Sequence, residues 1–339
     1  MSYVGTQAHR LLSDLTADPG SPAICNALTS EGAIQIGTSP VVVGCGPGDE
    51  NTAFAIPAGR PVPAGAFTEA CPPGTPAGST CVPGTRTVLN PAFFGPNGYF
   101  ITMGNSNFNS LQVNLRHTSS RAQLLVGYTF SKSLDDSSGY GEQINPVSPG
   151  LSRGLSAFDE THNFVASYNW SLPFDKLGGP RRLTNGWAVS GITRFSTGIP
   201  VTLIETDDHS LLGTSFTGPQ PLPVDTPNFA GGSLGITDPR TSPGHTYFNT
   251  SLFTPSAIGQ EGTANRRFFH GPGINNWDMA LVKDTSLTER TKLEFRAEFF
   301  NLFNHAQFVT PSGILSSNFG AVLSARDPRI GQLSLKLLF

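Results

Sequence analysis

The sequence predicts an all-β protein, an antiparallel transmembrane β-barrel architecture of roughly eight strands joined by alternating tight turns and long loops. Three observations carry that expectation. The final segment, GQLSLKLLF, sets Leu333, Leu335, Leu337 and Phe339 on one side of a strand and Gln332, Ser334 and Lys336 on the other. An exposed edge strand of that kind would aggregate in a soluble protein, whereas a barrel gives one face to lipid and leaves no free edge. Only 13% of the residues are charged, against roughly 25% in soluble domains, while Gly (38), Pro (28) and Phe (24) abound. Finally, the apolar signal has period two almost everywhere. With a mean hydropathy of -0.11, no segment reaches the roughly 18 consecutive apolar residues of a membrane helix.

Taken in order, residues 2–12 read as a first strand that leads into a long Gly- and Pro-rich loop, 13–107. Residues 109–118 set Leu111, Val113 and Leu115 against Gln112, Asn114 and Arg116. After a tight turn at Ser119 and Ser120, Leu124, Val126, Tyr128 and Phe130 repeat the alternation, which predicts a hairpin of membrane length. A polar loop, 135–159, precedes Phe164, Ala166, Tyr168, Trp170 and Leu172, and a compact turn contains Leu177, Gly178, Gly179 and Pro180. The next strand starts at Trp187, runs to about Leu203 and opens into a second long loop, 205–275. Trp277, Met279 and Leu281 mark a strand that ends in a turn over 285–290.

The return strand, 292–300, is the most informative. Leu293, Phe295, Ala297 and Phe299 face one way, and Lys292, Glu294, Arg296 and Glu298 form an alternating-charge row on the other. In a wide barrel such a row belongs in the water-filled lumen, where each exposed ion pair is worth about 0–1 kcal/mol. A solvated face of a soluble sandwich would carry the same pattern. Residues 319–325 could add one short rim strand. Tyr128, Phe130, Tyr168, Trp170, Trp187, Phe299 and Phe300 fall near strand ends, as interfacial aromatic girdles do. With tight turns assigned to the periplasm and long loops to the outside, an even strand count puts the C-terminus in the periplasm. Gly331, Leu333, Leu335, Leu337 and Phe339 are then the candidate assembly signal, since a terminal strand ending in an aromatic is what the barrel assembly machinery reads.

Cys25, Cys45, Cys71 and Cys81 all lie in the first long loop. Pairing of neighbours, Cys25 with Cys45 and Cys71 with Cys81, closes the shortest loops, although four cysteines allow three connectivities. A zinc site is the competing idea, without the close Cys-x-x-Cys or histidine cluster it needs. Catalytic signals are weak throughout. Gly44, Gly46 and Gly48 lack the flanking strand and helix of a phosphate-binding loop. Asp159, Glu160 and His162 read as a polar rim rather than a metal site, and Asp207, Asp208 and His209 as a solvated loop tip. The expectation is therefore no enzymatic activity and no cofactor. The net charge of -3 argues against a nucleic-acid partner.

Several runs are more specific than alternation alone. YVGTQAHRLL (3–12), NGYFITMGNSNFNSLQVNLRH (97–117), GYTFSKSLDDSSGYGEQINP (127–146), LSAFDETHNFVASYNWSLPFDKL (155–177), NNWDMALVKD (275–284), LEFRAEFFNLFNHAQF (293–308) and RDPRIGQLSLKLLF (326–339) resemble the C-terminal barrel of the Oar-like TonB-dependent receptors. The resemblance covers nearly every expected strand. It implies a cell-surface transporter with a carboxypeptidase-regulatory-like N-terminal domain, a plug and a barrel of about 22 strands, of which residues 1–339 would be the C-terminal part. The chain shows no TonB box, plug or signal peptide, Met1 being followed at once by Ser-Tyr-Val-Gly, so the expectation is a fragment or a reading frame opened inside a longer one. The partners so implied are outer-membrane lipid, the assembly machinery, an extracellular ligand of unknown class, and the TonB energy-coupling complex through the missing N-terminal parts. Two alternatives stay open: a small outer-membrane barrel with a structural or adhesive role displaying its loops, and a soluble secreted β protein.

Overall fold

Period-two alternation becomes one meandering antiparallel sheet in a computed structural model, which describes residues 1–86, 98–139, 142–176, 178–213 and 225–339. Eight long strands follow each other in chain order: β1 (Ser2–Thr16), β2 (Gly98–Thr118), β3 (Ala122–Asp135), β4 (His162–Ser171), β5 (Trp187–Ser196), β6 (Ile274–Ser286), β7 (Lys292–Phe300) and β8 (Ile330–Leu338). A ninth, the two-residue strand Gly154–Leu155, pairs with the end of β3. Among the described residues no pairing joins β8 back to β1, so the sheet has two edge strands without a partner on their outer sides.

Directly opposed residues share a face of a sheet, and the registers therefore test the predicted faces. Tyr128 of β3 opposes Val113 of β2 and Phe164 of β4. Trp170 opposes Val189, which opposes Leu281, which opposes Ala297, which opposes Leu333. The alternating apolar sets of β2 to β8 thus lie on one continuous face. Gln112, Thr129, Ser167, Ser190, Asp278, Glu298 and Gln332 lie on the other.

Three predicted boundaries move, and the optional rim strand does not form. The first long loop is shorter than 13–107, because β1 continues to Thr16 and β2 begins at Gly98, the two pairing from Leu12 with Thr102 to Thr16 with Gly98. A register shift between Ala8 and Leu11, with Arg10 at φ 56°, breaks the alternation there and hides the continuation. At 21 residues β2 is about twice the 9–11 a bilayer demands, so much of it projects beyond the apolar belt and needs no strict pattern. Next, β5 stops at Ser196 instead of running to about Leu203. Gly198 sits so close to the carbonyls of Gly271 and Pro272 that a Cβ would meet each at 2.3 Å. Lastly, 319–325 is not a strand: it makes only single bridges, Ala321 to Thr246 and Ala325 to Phe308, and buries Phe319 and Val322. Residues 87–97, 140–141 and 214–224 of the expected loops, and Leu177 of the expected turn, lie outside the described residues.

Both predicted long loops fold into lobes at one end of the sheet. In the first, Ser21 caps the helix Pro22–Ser30 by accepting from the Ile24 amide at 3.3 Å. Ile24 and Leu28 then pack on Phe54, Ile56 and Val82 of a small sheet made of Ile34–Gln35, Phe54–Ile56 and Thr80–Val82. Disulfides join Cys25 to Cys45 and Cys71 to Cys81. The second lobe is centred on phenylalanines. Phe248 meets Phe253, Phe269 and Phe319 edge-on at 5.6, 5.0 and 5.3 Å, around buried Val201 and Leu203. Edge-to-face rings favour such packing by about 0.5–1.5 kcal/mol per pair beyond area burial.

Candidate functional site

Curling of the sheet makes its polar face concave. A hollow of about 620 Å³ lies against it, with Arg116, Asn169, Asp278, Arg296 and Glu298 among its lining residues. Leu125 and Ile192 form an apolar floor on either side of Ser167, to which both are registered. Lys292, Glu294, Arg296 and Glu298 all stand on this face, opposite Leu293, Phe295, Ala297 and Phe299. The Arg296 guanidinium donates to Glu298 at 2.5 Å, and Gln332 of β8 donates to the same carboxylate. Glu294 is registered between Asp284 and Lys336. A mixed-charge wall with an apolar floor can hold polar ligands or a polar protein surface; it presents no nucleophile with a base in hydrogen-bond reach.

The candidate assembly residues sit on the last strand. Gly331 pairs with Phe299, Leu333 with Ala297, Leu335 with Phe295 and Leu337 with Leu293. Leu333, Leu335 and Leu337 are 71%, 67% and 52% exposed, and Phe339 lies just past the strand at 98%. Apolar exposure on that scale along a whole strand belongs in contact with lipid or another strand.

Above the hollow, buried polar groups tie the loop segments to the strand ends. Asp159 accepts from the Ser133 amide at 2.6 Å and from Thr161 at 2.9 Å, and lies 2.8 Å from His270 Nε2. Burial alone would push its carboxyl up, but the bonds from His270, Ser133 and Thr161 outweigh that and hold it below the usual value. Glu160 pairs instead with Arg194 at 2.7 Å, and His162 with the Tyr128 hydroxyl at 2.9 Å. The three residues weighed as a polar rim therefore go to three separate partners. Among the described residues no group of three or more His, Cys, Asp or Glu side chains could hold a metal ion.

Asp208 corrects the expected solvated loop tip. It is 3% exposed, accepts from the Gly213 amide at 3.1 Å, and shares Ser210 with Asp225. Burial, then the neighbouring Asp225 and Glu50, push its carboxyl up to about 7, and burial pushes Asp225 up to about 6. Two adjacent aspartates and a histidine in a Gly- and Pro-rich stretch carry no sequence sign of this, because groups that press on Asp208, Glu50 and Asp225 among them, come from elsewhere along the chain. The consequence has a definite sign. Both groups bind protons more tightly folded than unfolded, so their contribution is full below about pH 4 and is lost as pH rises through 6 and 7. Raising pH from 5 to 8 is expected to weaken this lobe by roughly 3–4 kcal/mol, since each tenfold difference in proton affinity between the folded and unfolded chain is worth about 1.4 kcal/mol. Hydrogen exchange of residues 205–213, corrected for intrinsic rates, should show the loss, and Asp208→Asn should remove most of it.

An antiparallel meander with one continuous apolar face, a polar concave face, and loops folded at one end defines a membrane β-barrel protein of the outer-membrane class. The family described as outer membrane beta barrel domain matches residues 1–332. The chain belongs to that family, which places it in the bacterial outer membrane with transmembrane strands. No curated protein matches it.

Proposed function

We propose that this chain is a wall segment of a cell-surface import receptor, in which the long loops capture a ligand outside and the lumen passes it inward. In this reading the C-terminus and the tight turns lie in the periplasm, and the lobes built from the long loops face outward. An energy-coupling complex of the TonB type acts through a plug that the concave face would hold, and the wall itself does no chemistry. The observation that carries the reading is the sheet whose edge strands, β1 and β8, do not pair with each other among the described residues, while its concave face is lined with charge. A wide barrel needs further strands between those edges and a polar lumen, whereas a closed eight-stranded barrel fills its interior with side chains. The resemblance of seven runs to Oar-like TonB-dependent receptors supports the same reading.

Cysteine pairs stepped along β1 and β8 test it in the protein assembled in the outer membrane. The receptor reading expects no cross-link within the chain at any register. A single efficient pair would mean eight-strand closure, and would overturn this reading in favour of a small barrel that displays its loops.

A further inference from the structure

The tight-turn end of the sheet has a chemistry that neither the lumen nor the loop lobes use. Between β4 and β5 the chain makes two short helical turns, Pro173–Lys176 and Arg181–Thr184. Residues 172–186 hold three cations, Lys176, Arg181 and Arg182, against one carboxylate, Asp175, in a chain whose net charge is -3. That carboxylate is already taken: Arg121 of the neighbouring turn grips it with two bonds, at 3.0 and 2.8 Å. Arg181 and Arg182 are exposed, and neither forms an ion pair among the described residues.

Apolar groups stand beside these cations. Leu183, between Arg182 and Thr184, is 68% exposed, and Leu287 at the next turn is 42% exposed. Missing strands are not the reason, because this turn lies in the middle of the sheet with β3 and β6 in place on either side. Trp187 follows on the apolar face and donates its indole N–H to the Leu183 carbonyl at 2.8 Å. Lys283, registered opposite Trp187 on that same apolar face, carries its ammonium over the indole ring, 5.6 Å from the centroid, and donates to the backbone carbonyl of Asn185. Lys283 is only 8% exposed and also donates to the Asp284 carbonyl at 3.3 Å, so its charge is used inside the protein to hold the indole and the start of β5 together. Tryptophan at that level, with leucine and unpaired arginine just beyond it, is the arrangement that suits the boundary between acyl chains and headgroups.

We propose that the turn carrying Arg181, Arg182 and Leu183 is a docking surface for the headgroups of anionic glycerophospholipids, with Leu183 dipping among the acyl chains and Arg181 and Arg182 on the phosphates. Arginine suits that role because its planar fork can bind a phosphate with two parallel hydrogen bonds. The inference rests on the orientation proposed above, which puts this end against the phospholipid leaflet.

A photoreactive benzoylphenylalanine introduced at Leu183, in the chain expressed in the outer membrane, tests it. After irradiation, adducts are identified by mass spectrometry, and assembly of the same sample is checked by heat-shifted migration on a gel. Phosphatidylglycerol and cardiolipin adducts are expected at ~3-fold or more above their share of the membrane lipid, falling to that share in Arg181→Gln/Arg182→Gln. Phospholipid adducts in bulk proportion, or enrichment that survives the double substitution, would overturn the inference and leave the orientation standing. Lipopolysaccharide adducts would overturn the orientation as well. Adducts with protein alone, or none, would place the turn away from lipid and overturn the inference.

Discussion

Leu335→Lys is expected to lower the amount of assembled protein in the outer membrane by tenfold or more, while Gln332→Lys, three residues away on the same strand, leaves it near wild type. The contrast follows from register. Leu335 opposes Phe295 on the continuous apolar face, and it is two-thirds exposed, so a lysine there would place an ammonium in hydrocarbon near mid-strand. That costs about 2–4 kcal/mol at the bilayer midplane. Gln332 opposes Glu298 on the concave face and already donates to its carboxylate. A lysine at 332 gains an ion-pair partner instead. The measurement is quantitative immunoblotting of heat-shifted protein in purified outer membranes. Equal loss at the two sites would mean the faces are wrongly assigned, and wild-type levels of Leu335→Lys would mean that β8 does not face lipid.

How far that contrast could be drawn without coordinates differs from one part of the molecule to another. Where the bilayer imposes period two, sequence was sufficient: the apolar sets from Val113 in β2, through Phe164 and Leu281, to Leu335 in β8 were each readable, because every second side chain had to be apolar whatever its partner. Their common face could not be read, since register depends on which residues pair. Above the belt the constraint lapses. The continuation of β1 to Thr16 follows a bulge, and the first half of β2 sets Tyr99, Phe100 and Ile101 in succession between glycines, so neither keeps the alternation and both look like loop in sequence. The lobes were invisible for a different reason. Their cores join residues far apart, such as Val201 with Phe319 and Ile24 with Val82, and no local period marks such contacts. Buried charge is least legible of all. Nothing near Asp208 or Arg267 in sequence announces that both are buried.

Arg267→Met is expected to release the second lobe from the strand ends, with a loss of about 3–5 kcal/mol, while the sheet itself stays assembled. The Arg267 side chain is fully buried. Its guanidinium donates to Glu142, to Ser138 Oγ at 3.3 Å and to Thr202 Oγ1 at 3.0 Å. Burial pulls its pKa down to about 10, still leaving it protonated at neutral pH. Its backbone is docked too, since the Leu155 amide donates to the Arg267 carbonyl at 3.0 Å and a Cβ on Gly154 would meet that oxygen at 2.6 Å. Gly154–Leu155 in turn pairs with Leu134 and Asp135 at the end of β3. One residue therefore couples the lobe to the wall. Methionine matches the length of the stem but supplies no donor, and Glu142 would keep only the Ser138 amide at 2.7 Å as an aligned partner. Arg266 lies 3.2 Å from the same carboxylate without hydrogen-bond alignment, so it is a poor substitute. A buried carboxylate stripped of its aligned guanidinium, and left with one misaligned cation and one amide, is what makes the loss large. Pairing Arg267→Met with Glu142→Gln should therefore recover a substantial part of it, because the double variant leaves no stripped carboxylate. Limited proteolysis of residues 197–273 in outer membranes reads the effect, with heat-shifted migration as the control for the sheet. A lobe as resistant in Arg267→Met as in wild type would mean that the aromatic core around Phe248 holds it in place without the ion pair.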